Sequence, residues 1–364
     1  MIEFLFNEYS FLLWWIGAMA LLANLINVNC TDIIIGREEK RVKLWFAIVA
    51  FFPIFRLACM GAPIGDVPAY LFGFDRVSAD IGTLTDVLKS RPSGFGFTVL
   101  EIIIKLIFGN NKSAFRIIIA LIQSVPVVLV LKKYSEDYLM SVFLFVAGTY
   151  HIGWMMNGLR QFIAVAIIFA ATPLLLRKKY IPLILVIVLA STIHTSALIM
   201  LPVVFVVQGK SWNTRTILSI IAAVIAMYIF STNSSAFDTL VENTEYAGAV
   251  SEWRVLGDDG ANPIRVFVSA LPMIMAFVGR RQIAAQNNAV IDVCVNMSVI
   301  TTGIYLIAMV TSGIMVGRLP VYTSLYNLIL LPYLIRHIFN RESSRLVAVA
   351  AVLFYLMYYG YSMH

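Results

Sequence analysis

The chain has 364 residues, of which 60% are hydrophobic and 13% charged, with a mean hydropathy of +0.86. A soluble domain is nearer half apolar and a quarter charged, so a water-soluble globule, a disordered chain and a fibrous repeat are excluded. The net charge of +7 reads as basic loops that fix membrane topology rather than as a nucleic-acid surface, and no nucleic-acid partner is expected.

Long apolar runs recur along the chain and predict an all-α polytopic integral membrane protein. The run 10–29 follows Glu3 and Glu8 instead of a basic leader and reads as a retained span. It is followed by the basic loop REEKRVK at 37–43 and a second run at 44–60. The stretch 61–113 reads as an extracytoplasmic loop, because it carries Asp66, Asp75, Asp80 and Asp86. Within it, 93–108 contains Glu101 and Lys105. Together with Thr98, Lys112 and Arg116 these form a polar stripe at helical spacing, which predicts an amphipathic or re-entrant helix on the outer face.

Runs at 114–131, 138–153 and 160–176 follow, separated by Lys132–Lys133 and by RKK at 177–179. The run 180–208 is divided into two spans that turn near His194, Thr195 and Ser196, the alternative being one long tilted helix. After 216–232 comes an acidic extracytoplasmic loop at 233–262, then runs at 263–279, 289–311, 319–335 and 346–362. The basic clusters, the three above with Lys210/Arg215, Arg280/Arg281 and the group Arg336, Arg341 and Arg345, hold sixteen of the 27 Lys and Arg residues. Placing them inside gives about twelve spans with both termini outside, in a single transmembrane domain over 1–364.

Ionisable groups at span ends are costly unless paired or wetted, and they mark candidate sites. Arg56, Arg160, Arg265 and Arg318 each fall at the outer end of a span. Four guanidinium groups at one level suit an anionic ligand with phosphate oxygens; snorkelling or local ion pairing is the structural alternative. His194 suits a general base, or a histidine satisfied by Thr195, Ser196 or a carbonyl. Asp66 is a candidate base, a hydroxyl-orienting group, or the ion partner of Arg56. Asp292 and Asn296, one turn apart, read as structural polarity. Cys30, Cys59 and Cys294 show no disulfide or metal spacing, and neither metal nor cofactor is expected.

Several strings carry a resemblance when taken together. GAPIGDVPAY at 61–70 resembles the G-x-D-x-x-x-Y element of EpsG-like, Wzy-type polysaccharide polymerases. SGFGF at 93–97 resembles their E-x-G-F element, with Ser93 and Gly94 where an acidic start is usual. NGLRQFIAVAI at 157–167 is similar to their R-Q-x-x-A helix start, and RKKYIPLILVIVLASTIHTSALIMLP at 177–202 to their basic loop, helix and H-x-S-A segment. VGRLPVYTSLYNLILLP at 316–332 resembles the late G-R-x-x-x-Y element.

The resemblance implies a polymerase in the bacterial cytoplasmic (inner) membrane with its site facing outward. It would transfer a growing glycan from undecaprenyl diphosphate to a lipid-linked oligosaccharide repeat unit. Arg160, Arg56 and Arg318 would bind the diphosphates, and Arg265 is a further substrate-binding candidate. His194 or Asp66 would take the proton, and Gln161, Tyr70 and Tyr322 are further substrate-binding candidates. Implied partners are the undecaprenyl-diphosphate-linked oligosaccharide and membrane lipids, with a chain-length regulator as a further candidate. A lipid-linked glycan flippase, which should show two related halves, and an O-antigen-ligase-like glycosyltransferase are the alternatives.

Overall fold

The computed structural model describes residues 2–60, 65–232, 257 and 260–363. Among the described residues, five helices are long and apolar enough to cross a membrane, or up to seven if each of two bent helix pairs counts as one span. The expected count of about twelve is not confirmed. Several apolar runs are interrupted and leave short helices, such as Leu159–Ala170 and Tyr180–Ile193, well under the ~20 residues of a straight crossing. The chain, taken from sequence as one domain, sorts into two compact units, residues 1–198 with 341–364 and residues 199–340.

In the first unit, α1 (Ile2–Leu25) enters an antiparallel hairpin of β1 (Asn29–Ile34) and β2 (Arg37–Val42), and α2 (Leu44–Met60) leaves it. The turn is made at Ile35 and Gly36, both at positive φ, which matches the twist of a two-residue hairpin loop. The sequence reading has a plain basic loop here, and the hairpin departs from all-α. It lacks an alternating apolar face: β2 is Arg-Glu-Glu-Lys-Arg-Val. Its order comes from tertiary contacts, with Asp32 paired to Lys132 and Arg41 Nε donating to the Lys133 carbonyl at 2.8 Å.

These contacts set helix directions. Lys132 and Lys133 end α6 (Lys112–Tyr134), so α6 finishes at the hairpin. Near its other end, Arg116 donates to the Met60 carbonyl at the end of α2. α2 and α6 are therefore antiparallel, and the segment between them leaves from and returns to the end opposite the hairpin. The basic clusters 37–43 and 132–133 share one end, as the charge pattern predicts.

That intervening segment forms α3 (Val67–Arg76), α4 (Ile81–Ser90) and α5 (Phe95–Phe108). α5 does not cross. The polar stripe expected along 93–116 is divided: Thr98, Glu101 and Lys105 lie on α5, whereas Lys112 and Arg116 begin α6. Phe74, Phe97 and Phe115 pack into one core between α3, α5 and α6. Lys105 Nζ donates to the carbonyls of Phe74, Asp75 and Val77 at 2.8, 2.9 and 2.8 Å. A cation there satisfies orphan carbonyls at the end of α3 and opposes the helix dipole. Lys112 pairs with Asp75 at 2.6 Å and holds that carboxyl below the usual range. Lys105→Met is expected to cost about 2 kcal/mol, read as faster hydrogen exchange confined to the last turn of α3.

From the hairpin end, α7 (Tyr138–Ala147) and α8 (Tyr150–Asn157) run back with a 67° bend, where Thr149 takes a positive φ. Tyr138 Oη donates to the Ala47 carbonyl at 2.9 Å near the start of α2, and Asn157 Oδ1 accepts the Asp66 backbone N–H at 2.8 Å at the far end. α9 (Leu159–Ala170) packs along α6, α10 (Thr172–Leu176) follows, and α11 (Tyr180–Ile193) packs on α9 and α5. The helix stops at Ile193, and His194 is extended. The break expected near His194 is present, so 180–208 is not one long helix.

The second unit is built around the helix Ala289–Val310, against which α13 (Thr214–Thr232) and the helices Pro263–Val278 and Asn327–His337 pack. Asn296 is fully buried. It donates to the carbonyls of Val207 and Lys210 at 3.0 and 3.1 Å, and accepts from the Trp212 N–H and the Thr216 hydroxyl at 3.1 Å each. Asp292 accepts the Ser211 N–H at 2.9 Å. Both residues have the structural role that the sequence suggests. Of the acidic loop at 233–262, residues 233–256, 258 and 259 lie outside the described residues.

Candidate functional site

At the end opposite the hairpin, a cleft of about 340 Å³ is lined by Asp66, Ala69, Tyr70 and Gly73 of α3 and its cap, by Phe97, Thr98 and Glu101 of α5, and by Arg160 of α9. Helical periodicity explains each wall. Asp66, Tyr70 and Gly73 recur at spacings of four and three, as do Phe97 and Glu101, so each set shares one helix face. Lys105 joins the two walls through the carbonyls of α3.

The glycines of SGFGF have distinct local reasons. Gly94 has φ +73°, and a Cβ there would lie 3.1 Å from Arg160 Nη1 and 3.5 Å from the Ile193 carbonyl oxygen. A Cβ at Gly96 would come within 2.2 Å of Thr192 Oγ1 and 2.9 Å of the Thr192 carbonyl carbon. The motif therefore seats the start of α5 on the end of α11, and the Gly94 turn has Arg160 on one side and Ile193, the residue before His194, on the other. Gly65, at φ +52°, lies against Asn157, the residue that accepts the Asp66 N–H. Gly96→Val is expected to destabilise the protein by about 2 kcal/mol through overpacking, measurable as a lowered thermal midpoint in detergent.

Arg160 is exposed to the cleft, and its guanidinium carbon is 5.9 Å from the ring centres of both Tyr70 and Phe97. Opposite stands Glu101, 5% exposed. The charges acting on it are Arg160 and Lys105, and no hydrogen-bond donor among the described residues reaches it. Burial pushes its carboxyl up to about 7, and the two cations pull it only part of the way back. Between the usual glutamate range near 4.5 and about 7, the folded chain keeps a proton that the unfolded chain releases. Stability therefore falls as pH rises through that window. Glu101→Gln is expected to raise the thermal midpoint at pH 8 and leave it unchanged at pH 5.

The other candidates fall as follows. Asp66 is exposed at the N-cap of α3, and its side chain makes no cap hydrogen bond. His194 Nδ1 is 2.6 Å from Ser196 Oγ, and His194 is partly buried at the end of α11. Gln161 is buried beside Arg160 and does not line the cleft. Arg56, half-exposed, is 3.7 Å from Glu8 of α1 and is likewise absent from the lining. Arg265, Arg318 and Tyr322 belong to the second unit. Arg265 is exposed in the first turn of Pro263–Val278, Arg318 Nε donates to the Ile314 carbonyl at 2.8 Å, and Tyr322 is buried. Sequence reasoning named Arg160, Asp66 and Tyr70 and missed Glu101 as a site residue. The available signal was a single acid within the apolar run FGFTVLEIIIKLIF.

The structure defines a polytopic helical membrane protein with an arginine-and-carboxylate cleft at one end of its first unit. The chain belongs to the EpsG family, whose profile matches residues 32–364, a family of Wzy-like polysaccharide polymerases. No curated protein and no solved structure matches the chain.

Proposed function

We propose that this protein lengthens a glycan on the outer face of the bacterial cytoplasmic membrane, moving the growing chain from undecaprenyl diphosphate to a lipid-linked repeat unit. The observation that carries this reading is the cleft itself, which an exposed guanidinium lines together with two carboxylates and two aromatic rings. Family membership supplies the reaction class. The outward orientation follows from the charge rule: the basic hairpin and Lys132–Lys133 mark the opposite end, and such clusters stay in the cytoplasm.

In this reading Arg160 holds the diphosphate oxygens and stabilises the charge that develops as the lipid diphosphate departs. Tyr70 and Phe97 offer ring faces to the sugar. Asp66 and Thr98 orient its hydroxyls, and His194 and Gln161, which follow Ile193 and Arg160 in the chain, complete the surroundings of the cation. Arg56, Arg265, Arg318 and Tyr322 are proposed to contact lipid-linked substrate outside the described cleft. The test uses lipid-linked repeat units extracted from cells lacking this protein. Incubated with purified full-length protein in lipid nanodiscs, they should yield a ladder of lengthened, lipid-linked glycans. Transfer of the unit to a different lipid, or its movement across a bilayer without lengthening, would overturn the reading.

A further inference from the structure

Three groups at this end of the molecule could exchange a proton with a sugar hydroxyl: His194, Asp66 and Glu101. We infer that Glu101 is the catalytic base of the cleft, receiving the proton of the attacking acceptor hydroxyl while Arg160 holds the departing diphosphate. The inference rests on the polymerase reading and deepens it.

Geometry separates the three. His194 is not among the cleft-lining residues, and its Nδ1 faces the Ser196 hydroxyl. Asp66 lines the cleft but is exposed, so water solvates its carboxylate. Glu101 lines the same cleft from a buried position, without a hydrogen-bond donor among the described residues, and of the charges acting on it Arg160 has the larger effect. A buried carboxylate that lacks a donor has unmet hydrogen-bonding capacity, and an approaching hydroxyl would supply that donor. Lys105, one turn further along α5, cannot neutralise it by pairing, because its ammonium is already committed to three carbonyls of α3 and its C-cap.

The surrounding charges are compatible with this role. Arg160 comes from α9, Lys105 from α5 itself, and Asp66 and Tyr70 from α3. Of the other helices packed on α5, α4 carries Asp86 and Lys89, α6 begins with Lys112 and Arg116, and α11 ends at His194. A carboxyl that changes charge near neutrality is matched to proton transfer at cellular pH. The step balances as follows. The acceptor oxygen forms a bond to the anomeric carbon. The bond from that carbon to the diphosphate oxygen breaks, and its electron pair leaves with undecaprenyl diphosphate. The hydroxyl proton passes to Glu101, which then releases it to solvent or to the departing phosphate.

The experiment compares wild type, Glu101→Gln and Glu101→Asp as full-length proteins in nanodiscs, supplied with the extracted lipid-linked repeat units. Glu101→Gln is expected to lower the extension rate about a hundredfold or more, with substrate affinity held within a few-fold. The wild-type rate should rise with pH through about 7 and then level, and Glu101→Gln should lose that rise. Glu101→Asp keeps the carboxylate and should retain part of the rate with a displaced profile. A normal ladder from Glu101→Gln, or a wild-type rate that falls as pH rises through the same range, overturns the assignment while the polymerase reading stands. A wild-type protein that makes no ladder overturns both.

Discussion

Replacing Arg160 by alanine is expected to stop glycan extension while leaving the protein folded. The side chain is exposed, and its two ring contacts are both at 5.9 Å, so little packing is lost. A cation aimed at a developing anion contributes much more: loss of one such group lowers rates by about a hundredfold to a thousandfold. Arg160→Lys should recover only part of this, because an ammonium lacks the planar fork that binds two phosphate oxygens. A second readout comes from Glu101. Arg160 favours its ionised form, so removing the guanidinium should move the rising limb of any residual activity to higher pH. Rate and pH profile, measured together in reconstituted protein, would show both effects. A normal ladder from Arg160→Ala would remove Arg160 from the site.

The largest expected effect on stability lies in the second unit. Asn296→Leu keeps a similar volume and removes four hydrogen bonds at once. The Lys210 carbonyl and the Thr216 hydroxyl keep Asn213 as a partner, whereas the Val207 carbonyl and the Trp212 N–H lose the side chain that satisfies them. With Asn296 fully buried, water cannot readily replace it. Each stranded buried group costs roughly 1–3 kcal/mol. The sum in a membrane protein is reduced because the denatured chain also finds partners, and a loss of about 4 kcal/mol is expected. Denaturant titration in mixed micelles would give the magnitude. Hydrogen exchange should show the amides of residues 211–216 opening first.

Much of the site was legible because its residues violate what a bilayer prefers. Arg160 sits at a helix start inside an apolar stretch, and Asp66 with Tyr70 carries helical spacing next to a glycine. The His194 break was legible from His, Thr and Ser interrupting an apolar run. The coincidence of 37–43 with Lys132–Lys133 followed from the charge rule. Other features depend on contacts that no local pattern encodes. Glu101 with Lys105 four residues on looks like an internal ion pair, but the lysine is taken by carbonyls of α3 and its C-cap. Arg56 has Glu8, far away in sequence, within 3.7 Å of it, whereas the sequence offered Asp66 as its ion partner. The hairpin at 29–42 is ordered by groups on α6. The span count is not confirmed, and hydropathy is blind to backbone breaks such as the positive φ of Thr149.

α5 carries Glu101 on one flank and exposed Ile103, Ile107 and Phe108 on others. In the proposed reading, a helix with that distribution would act as a partition between two solvents. A molecule with an ionic head and a long hydrocarbon tail can lie astride it, head among charges and tail among lipids, without lifting its tail into water. Substrate traffic would then be sideways, in the plane of the bilayer.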